Sequence, residues 1–302
     1  MEDRGGRLNE TKCGTHEGTD MSETPTFKTY PTNDQLAQME RDLTFHPSTI
    51  RNPRELTPAQ VVHYNQNGYI TRLPVLTAEE VARLRTFVDN LIANVMAKGA
   101  SSYSVKHAHM KYGAVWDLIT HPRITALVKD VLGDEVVGWG AHFFCKMPGD
   151  GKIVAWHQDA SYWPLTPSKT LTIWLAVDDA DRANGCMKFV AGSHLKGHLT
   201  YRPSSTGEDN VLDQTVENAE QYGPVIYNEL KAGQASIHSD LLLHGSEVNA
   251  SPRRRCGLTL RYCTPDVRGT LGWNREGILI SGRDPEGHWA NPLRPVQDYE
   301  GT

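Results

Sequence analysis

Apolar positions divide the chain into two grammars. Behind Thr77-Ala78-Glu79-Glu80, the residues Val81, Leu84, Phe87, Val88, Leu91, Ile92 and Val95 recur at helical spacing. A hydroxyl at the cap with Glu three residues on is a capping box, so the pattern predicts a long amphipathic helix ending near Gly99. Thr57-Pro58-Ala59 places a cap before a first-turn proline and predicts an earlier helix ending near Asn67-Gly68, with a short strand starting at Tyr69-Ile70. A third helix fits His121-Pro122 through Leu132, closed by Gly133. From about residue 134 the runs become short, β-branched or aromatic, and punctuated by Gly, Pro, Asp or Asn. They are Val136–Met147, Lys152–Trp156, Thr170–Val177, Cys186–Val190, Val225–Leu230, Gln234–His238, Leu241–His244 and Gly257–Cys263. Short strands after a helical region predict a mainly β fold: a jelly roll or barrel with flanking helices.

The organisation expected is a tail over residues 1–30, nearly without aliphatics, then one domain over 31–302. Within it, 31–133 is mostly a helical flank, 134–270 the jelly-roll core and 271–302 a C-terminal extension. The polar, aperiodic stretch 202–224 is too long for a plain connection and reads as a functional loop or lid.

Composition narrows the function. With 302 residues, 38% hydrophobic and 22% charged, the chain has material for a sizeable core. No apolar run approaches the roughly 20 residues of a membrane helix, and the start lacks a signal-peptide core. A net charge of −5 argues against nucleic acid as a partner and leaves a small molecule. Cys13, Cys145, Cys186, Cys256 and Cys263 form no C-x-x-C pair, so neither a disulfide framework nor a zinc ribbon is suggested; a reducing, cytoplasmic setting is the expectation. Oligomeric state is not legible.

The candidate chemistry is a metal site. In Trp156-His157-Gln158-Asp159, side chains two apart on a strand share a face, so His157 and Asp159 reach one ion while Gln158 turns away. These are two members of the 2-His-1-carboxylate set that binds Fe(II) and leaves positions open. His238-Ser239-Asp240 has the same form, and what lies downstream chooses between the two. His244 ends a strand-like run, and Arg255 opens another eleven residues later, placed to clamp a carboxylate with two parallel hydrogen bonds. No comparable set follows the second pair, since His288 lies in a tail without strand signal. His157, Asp159 and His244 are therefore the expected ligands, with His238 and Asp240 as strand or loop residues.

The runs HQDASYWPLTPSKTLTIWLAVDDADRANGCMKFVAGSH and LLLHGSEVNASPRRRCGLTLRY resemble the phytanoyl-CoA dioxygenase family of Fe(II)/2-oxoglutarate oxygenases, over roughly residues 60–270. The resemblance implies a double-stranded β-helix (cupin-like) core, with Fe(II) on His157, Asp159 and His244. It implies 2-oxoglutarate and O2 as cosubstrates, with ascorbate as a reductant. It also implies that Arg255 and Ser246 hold the distal carboxylate of 2-oxoglutarate and that Trp174 lines its pocket. The implied reaction decarboxylates 2-oxoglutarate to succinate and CO2 while hydroxylating or desaturating an unactivated C–H; no catalytic residue beyond the ligands is implied. Related halogenases carry a small residue in place of this carboxylate, so Asp159 favours hydroxylation over halogenation.

Substrate residues are expected in the segment His107-Ala108-His109-Met110-Lys111-Tyr112 and at Trp116, from which His109, Tyr112 and Trp116 are taken as one wall. Trp163 is a second wall. Arg261 shares strand parity with Arg255 and is placed to pair with an acidic substrate group. His194 is expected in a turn contact and Arg254 in water. With no large basic surface for a coenzyme A thioester, the expected substrate is a small or mid-sized metabolite. Two other readings compete: a cupin-like metal enzyme that does not use 2-oxoglutarate, such as an isomerase or hydrolase, and a non-catalytic binding module on the same fold.

Overall fold

The computed structural model describes residues 30–205 and 207–297; the expected tail lies outside them, apart from Tyr30. The helices are α1 (Asn33–Gln38), α2 (Pro58–Asn67), α3 (Ala78–Ala97), α4 (Gly113–Ile119) and α5 (Pro122–Leu132). The strands are β1 (Tyr69–Pro74), β2 (Val136–Lys146), β3 (Val154–His157), β4 (Leu165–Thr166), β5 (Thr170–Ala176), β6 (Met187–Val190), β7 (Arg202–Pro203), β8 (Gln214–Thr215), β9 (Val225–Tyr227), β10 (Gln234–Ser239), β11 (His244–Ser246), β12 (Arg255–Cys263), β13 (Arg268–Gly269) and β14 (Ile278–Ser281).

The helix starts follow local chemistry. Thr32, Thr57 and Thr77 each accept from the backbone N–H three residues on, and Gln35, Gln60 and Glu80 accept in return from the cap N–H. Helix α2 stops at Gly68, whose φ of 82° is the left-handed conformation glycine adopts without a Cβ penalty.

A large antiparallel sheet runs β1-β10-β5-β12-β2-β14, and a smaller one runs β3-β11-β6-β9. Alternation sorts the large sheet by face. Leu171, Ile173 and Leu175 of β5, with Cys256, Leu258, Leu260 and Tyr262 of β12, join α3, α4 and α5 in the main core. The opposite face packs on the small sheet, where Tyr69, Trp174 and Ala176 meet Met187, Phe189 and Leu242.

Several features depart from the sequence expectation, among them helices α1 and α4, which it did not contain. Leu241–Leu243 form a turn, and the strand there starts at His244. The extension after 271 is not without strands, because β14 forms the sixth strand of the large sheet against β2. Cys145 and Cys256, paired directly across β2 and β12, form a disulfide; their 111-residue separation hid it. No helix among the described residues is long and apolar enough to cross a membrane.

Candidate metal centre

Strands β3 and β11 pair with His157 opposite His244, which sets the two rings 4.1 Å apart. The strand ends at His157, so Asp159 does not continue it; Asp159 opens a short 3₁₀ turn, Asp159–Tyr162. Gln158 between them keeps extended dihedrals, and the alternation survives. One ligand atom from each of His157, Asp159 and His244 lies within 4.8 Å of the others. The Nε2 atoms of His157 and His244 stand 3.8 and 3.9 Å from Asp159 Oδ1.

The orientation is built in. His157 Nδ1 bonds the Ala155 carbonyl and His244 Nδ1 bonds that of Leu242, both at 2.9 Å. Each ring thereby donates from Nδ1 and offers Nε2 to the centre, the outer-partner arrangement that fixes a ligand's tautomer. Thr172 Oγ1 donates to Asp159 Oδ2 at 3.1 Å. Burial lowers the affinity of His157 and His244 for protons, so both stay neutral and able to ligate. Burial pushes the Asp159 carboxyl up, but His238 and the Arg261 guanidinium outweigh it and hold the group well below the usual carboxylate range. Two imidazoles and one carboxylate, deprotonated and convergent, fit a ferrous ion with open positions.

A narrow pocket leads from these ligands to Arg255, lined also by Phe144, Val154, Trp174, Met187 and Ser246. Arg255 is 3% exposed. Its Nε donates to Gly185 O at 3.0 Å, Nη1 to Phe144 O at 3.4 Å and Nη2 to Ser246 Oγ at 3.3 Å. A guanidinium has five N–H bonds, so two remain for an anion. Trp174 lies 5.6 Å from that guanidinium, ring to cation. The indole crosses Gly257, where an added Cβ would stand 2.0 Å from Trp174 Cζ2.

On another side of the ligands a wider cavity of about 620 Å³ opens, bounded by Trp139, Trp163, Trp273, His142, Arg261 and the Asn210–Asp213 stretch of the long loop. Trp163 and Arg261 are where the sequence reading put them, at the cavity. His109, Tyr112 and Trp116 are not. His109 is fully buried with Nε2 on the Glu276 carbonyl, Tyr112 packs on Phe87, and Trp116 packs on the main core. The 107–112 segment reaches the cavity through His107 instead, beside Lys106, because His109 falls in a 3₁₀ turn that points it inward.

Other residues carry roles that the sequence did not show. Gln158 is 0% exposed and staples three segments: Nε2 donates to the Gly197 and Leu241 carbonyls, and Oε1 accepts from the Leu199 N–H. His238, a β10 strand residue, also lines the narrow pocket with Nε2 3.8 Å from Asp159 Oδ2. Asp240 accepts from Ser168 Oγ, and burial raises its carboxyl to about 6. His194 makes the expected turn contact, bonding Asn65 O and packing edge-on against Phe45. Arg254 is not in open water but pairs with Asp178 and Asp89.

Residues 64–257 match the profile of the phytanoyl-CoA dioxygenase family. The chain belongs to that family. A relative from Stutzerimonas stutzeri, "Probable alpha-ketoglutarate-dependent hypophosphite dioxygenase", is 27% identical over 73% of this chain and 84% of its own length. The peroxisomal phytanoyl-CoA dioxygenase of Bos taurus is 23% identical over 78% of this chain and 79% of its own. Among solved structures, the non-heme monooxygenase ThoJ superposes with a TM-score of 0.65 at 27% identity, covering 78% of this chain and 88% of that one. This phytanoyl-CoA dioxygenase family member is an alpha-ketoglutarate-dependent non-heme iron oxygenase, using Fe(II), 2-oxoglutarate and O2.

Proposed function

We propose that the chain hydroxylates or desaturates an unactivated C–H of a small or mid-sized metabolite, on a double-stranded β-helix core. The observation that carries this is the shared position of the His157–Asp159–His244 set: it walls both the narrow pocket that ends at Arg255 and the wide cavity, with His157 and Asp159 lining each. In this reading His157, Asp159 and His244 hold the iron. Arg255 and Ser246 seat the distal carboxylate of 2-oxoglutarate, and Trp174 flanks it. When bound, the iron and 2-oxoglutarate supply the oxygen activation.

The protein supplies placement and dryness. Phe144, Val154, Trp174 and Met187 exclude water from the narrow pocket, which strengthens the Arg255 charge toward a carboxylate. The locked imidazoles keep their lone pairs on the centre, so no reorganisation accompanies metal entry. Asp159 fills the position that a halide would need, and this favours hydrogen removal from carbon over halogen transfer. The cavity volume lies within the roughly 300–1,000 Å³ range of small-molecule sites, and Trp163 and Arg261 line it as substrate contacts.

The test is anaerobic addition of Fe(II) and 2-oxoglutarate. A visible charge-transfer band is expected in the wild type and not in Asp159→Ala. Succinate release over a metabolite library, with product mass raised by one oxygen atom, then separates hydroxylation from desaturation. No band and no iron-dependent succinate would reject the oxygenase reading.

A further inference from the structure

Arg261 projects from the inner face of β12, opposite Gly140 of β2. Its guanidinium lies 5.1 Å from the Trp163 ring centre and 5.8 Å from that of Trp139. A β-bulge makes this possible. The β12–β2 register slips between Arg261 and Tyr262, leaving Trp139 unpaired between Gly138 and Gly140. Trp139 therefore joins the cluster of Trp163 and Trp273 instead of the helix-side core that Ala141 and Phe143 enter. Gly140 completes the slot, since a Cβ there would already touch Arg261 Cδ at 3.4 Å.

Arg261 and Trp139 both line the wide cavity, and both carry a buried donor with no acceptor among the described residues, Nε of Arg261 and Nε1 of Trp139. Buried donors are almost always satisfied, so these two, with Tyr162 Oη as a third on the same cavity, require a cause. The charge balance supplies one. Fe(II) and Arg255 together carry as much positive charge as Asp159 and doubly ionised 2-oxoglutarate carry negative, so the loaded centre is neutral. Arg261, beside Asp159 where the narrow pocket and the wide cavity meet, is then the one cation left over from that balance. The other charges on the cavity, Lys106 and Asp213, are exposed and of opposite sign, and His107 is taken by Glu276 at 2.6 Å. A desolvated cation is costly until an anion joins it.

We infer that the substrate is an organic oxyanion — a carboxylate, phosphonate or sulfonate on an apolar or aromatic body. Its charged oxygens accept from Arg261 and from Trp139 Nε1, and its body rests on Trp163 and Trp273. The inference rests on the oxygenase reading and names the substrate class of that same site.

The experiment uses benzoate as the probe and benzamide as its neutral match. Both are titrated anaerobically into protein holding Fe(II) and saturating 2-oxoglutarate, with tryptophan fluorescence and the charge-transfer band read together. Benzoate is expected to bind at least about tenfold more tightly than benzamide while the band persists. Arg261→Gln should erase the preference while the charge-transfer band still forms at saturating 2-oxoglutarate, and Arg261→Lys should restore part of it. If Arg261→Gln loses its near-UV circular dichroism, Trp139→Phe replaces it and should weaken benzoate alone. Equal binding of the two probes, binding of neither, or a preference untouched by the variants would overturn the inference. So would bleaching of the band by benzoate, which would mean that benzoate had taken the seat of 2-oxoglutarate at Arg255. Absence of the band in the wild type would reject the oxygenase reading instead, and the fluorescence comparison would still decide the anion preference.

Discussion

The two faces of strands β5 and β12 are both largely buried and chemically opposite. Toward the helices stand Leu171, Ile173, Leu175, Leu258, Leu260 and Tyr262. Toward the small sheet stand Thr172, Trp174, Arg255, Gly257, Thr259 and Arg261. One strand thus serves two purposes by a period of two. The helix-side face gains its stability from apolar area removed from water. The inner face gives up that gain to hold charges and donors, some of them without partners among the described residues, at a site built for ligands.

Substitutions separate the two faces. Leu258→Ala, on the helix side and fully buried, should cost about 2–5 kcal/mol of stability by leaving a cavity. Urea unfolding would measure it, and the 2-oxoglutarate affinity of the folded fraction should not change. A change in that affinity would mean that the faces are coupled. Arg255→Ala, on the inner side, should do the reverse: the KM for 2-oxoglutarate should rise roughly 100-fold, about 3 kcal/mol, through loss of a desolvated charge partner. An enzyme on this fold that ignored 2-oxoglutarate would keep its activity. Gly257→Ala tests shape alone. The new Cβ meets Trp174 at 2.0 Å, so about 1–3 kcal/mol of overpacking should come with weaker 2-oxoglutarate binding, read from the charge-transfer band.

The smallest effect asks whether burial by itself holds a histidine neutral away from the metal. Burial lowers His194 to about 4, against an ordinary value near 6.5. The unfolded chain therefore binds more protons between these values, so the contribution is complete above the ordinary value and is lost as pH falls below it. Between about pH 7 and pH 5.5 that loss should be about 1 kcal/mol. Denaturant melts across this window should flatten by that amount in His194→Gln, and an unchanged slope would place the protons elsewhere.

What local chemistry governs was legible. The Thr77/Glu80 capping box, the Thr57 cap before Pro58 and glycine at Gly68 mark helix ends because their bonds close within a few residues. The His157-Gln158-Asp159 alternation and the shared parity of Arg255 and Arg261 were readable because a strand's side-chain period is fixed. The resemblance to the oxygenase family added the roles.

What long-range packing governs was not. The slip that turns Trp139 inward depends on how β2 meets β12. The Cys145–Cys256 pairing depends on that same register. Gln158 looked like a spacer, since the carbonyls of Gly197 and Leu241 that it binds are 39 and 83 residues away. His109 rather than His107 was the expected wall, since the turn that buries one and presents the other is fixed by contacts with Glu276. The amino-acid sequence alone thus marked the ends of the longer helices, the donor types and which of them share a side, all of which follow from bonds along the chain. The tertiary structure decided which distant segments converge on those donors and what lies around Arg261, because non-local pairing leaves no periodic trace in the sequence.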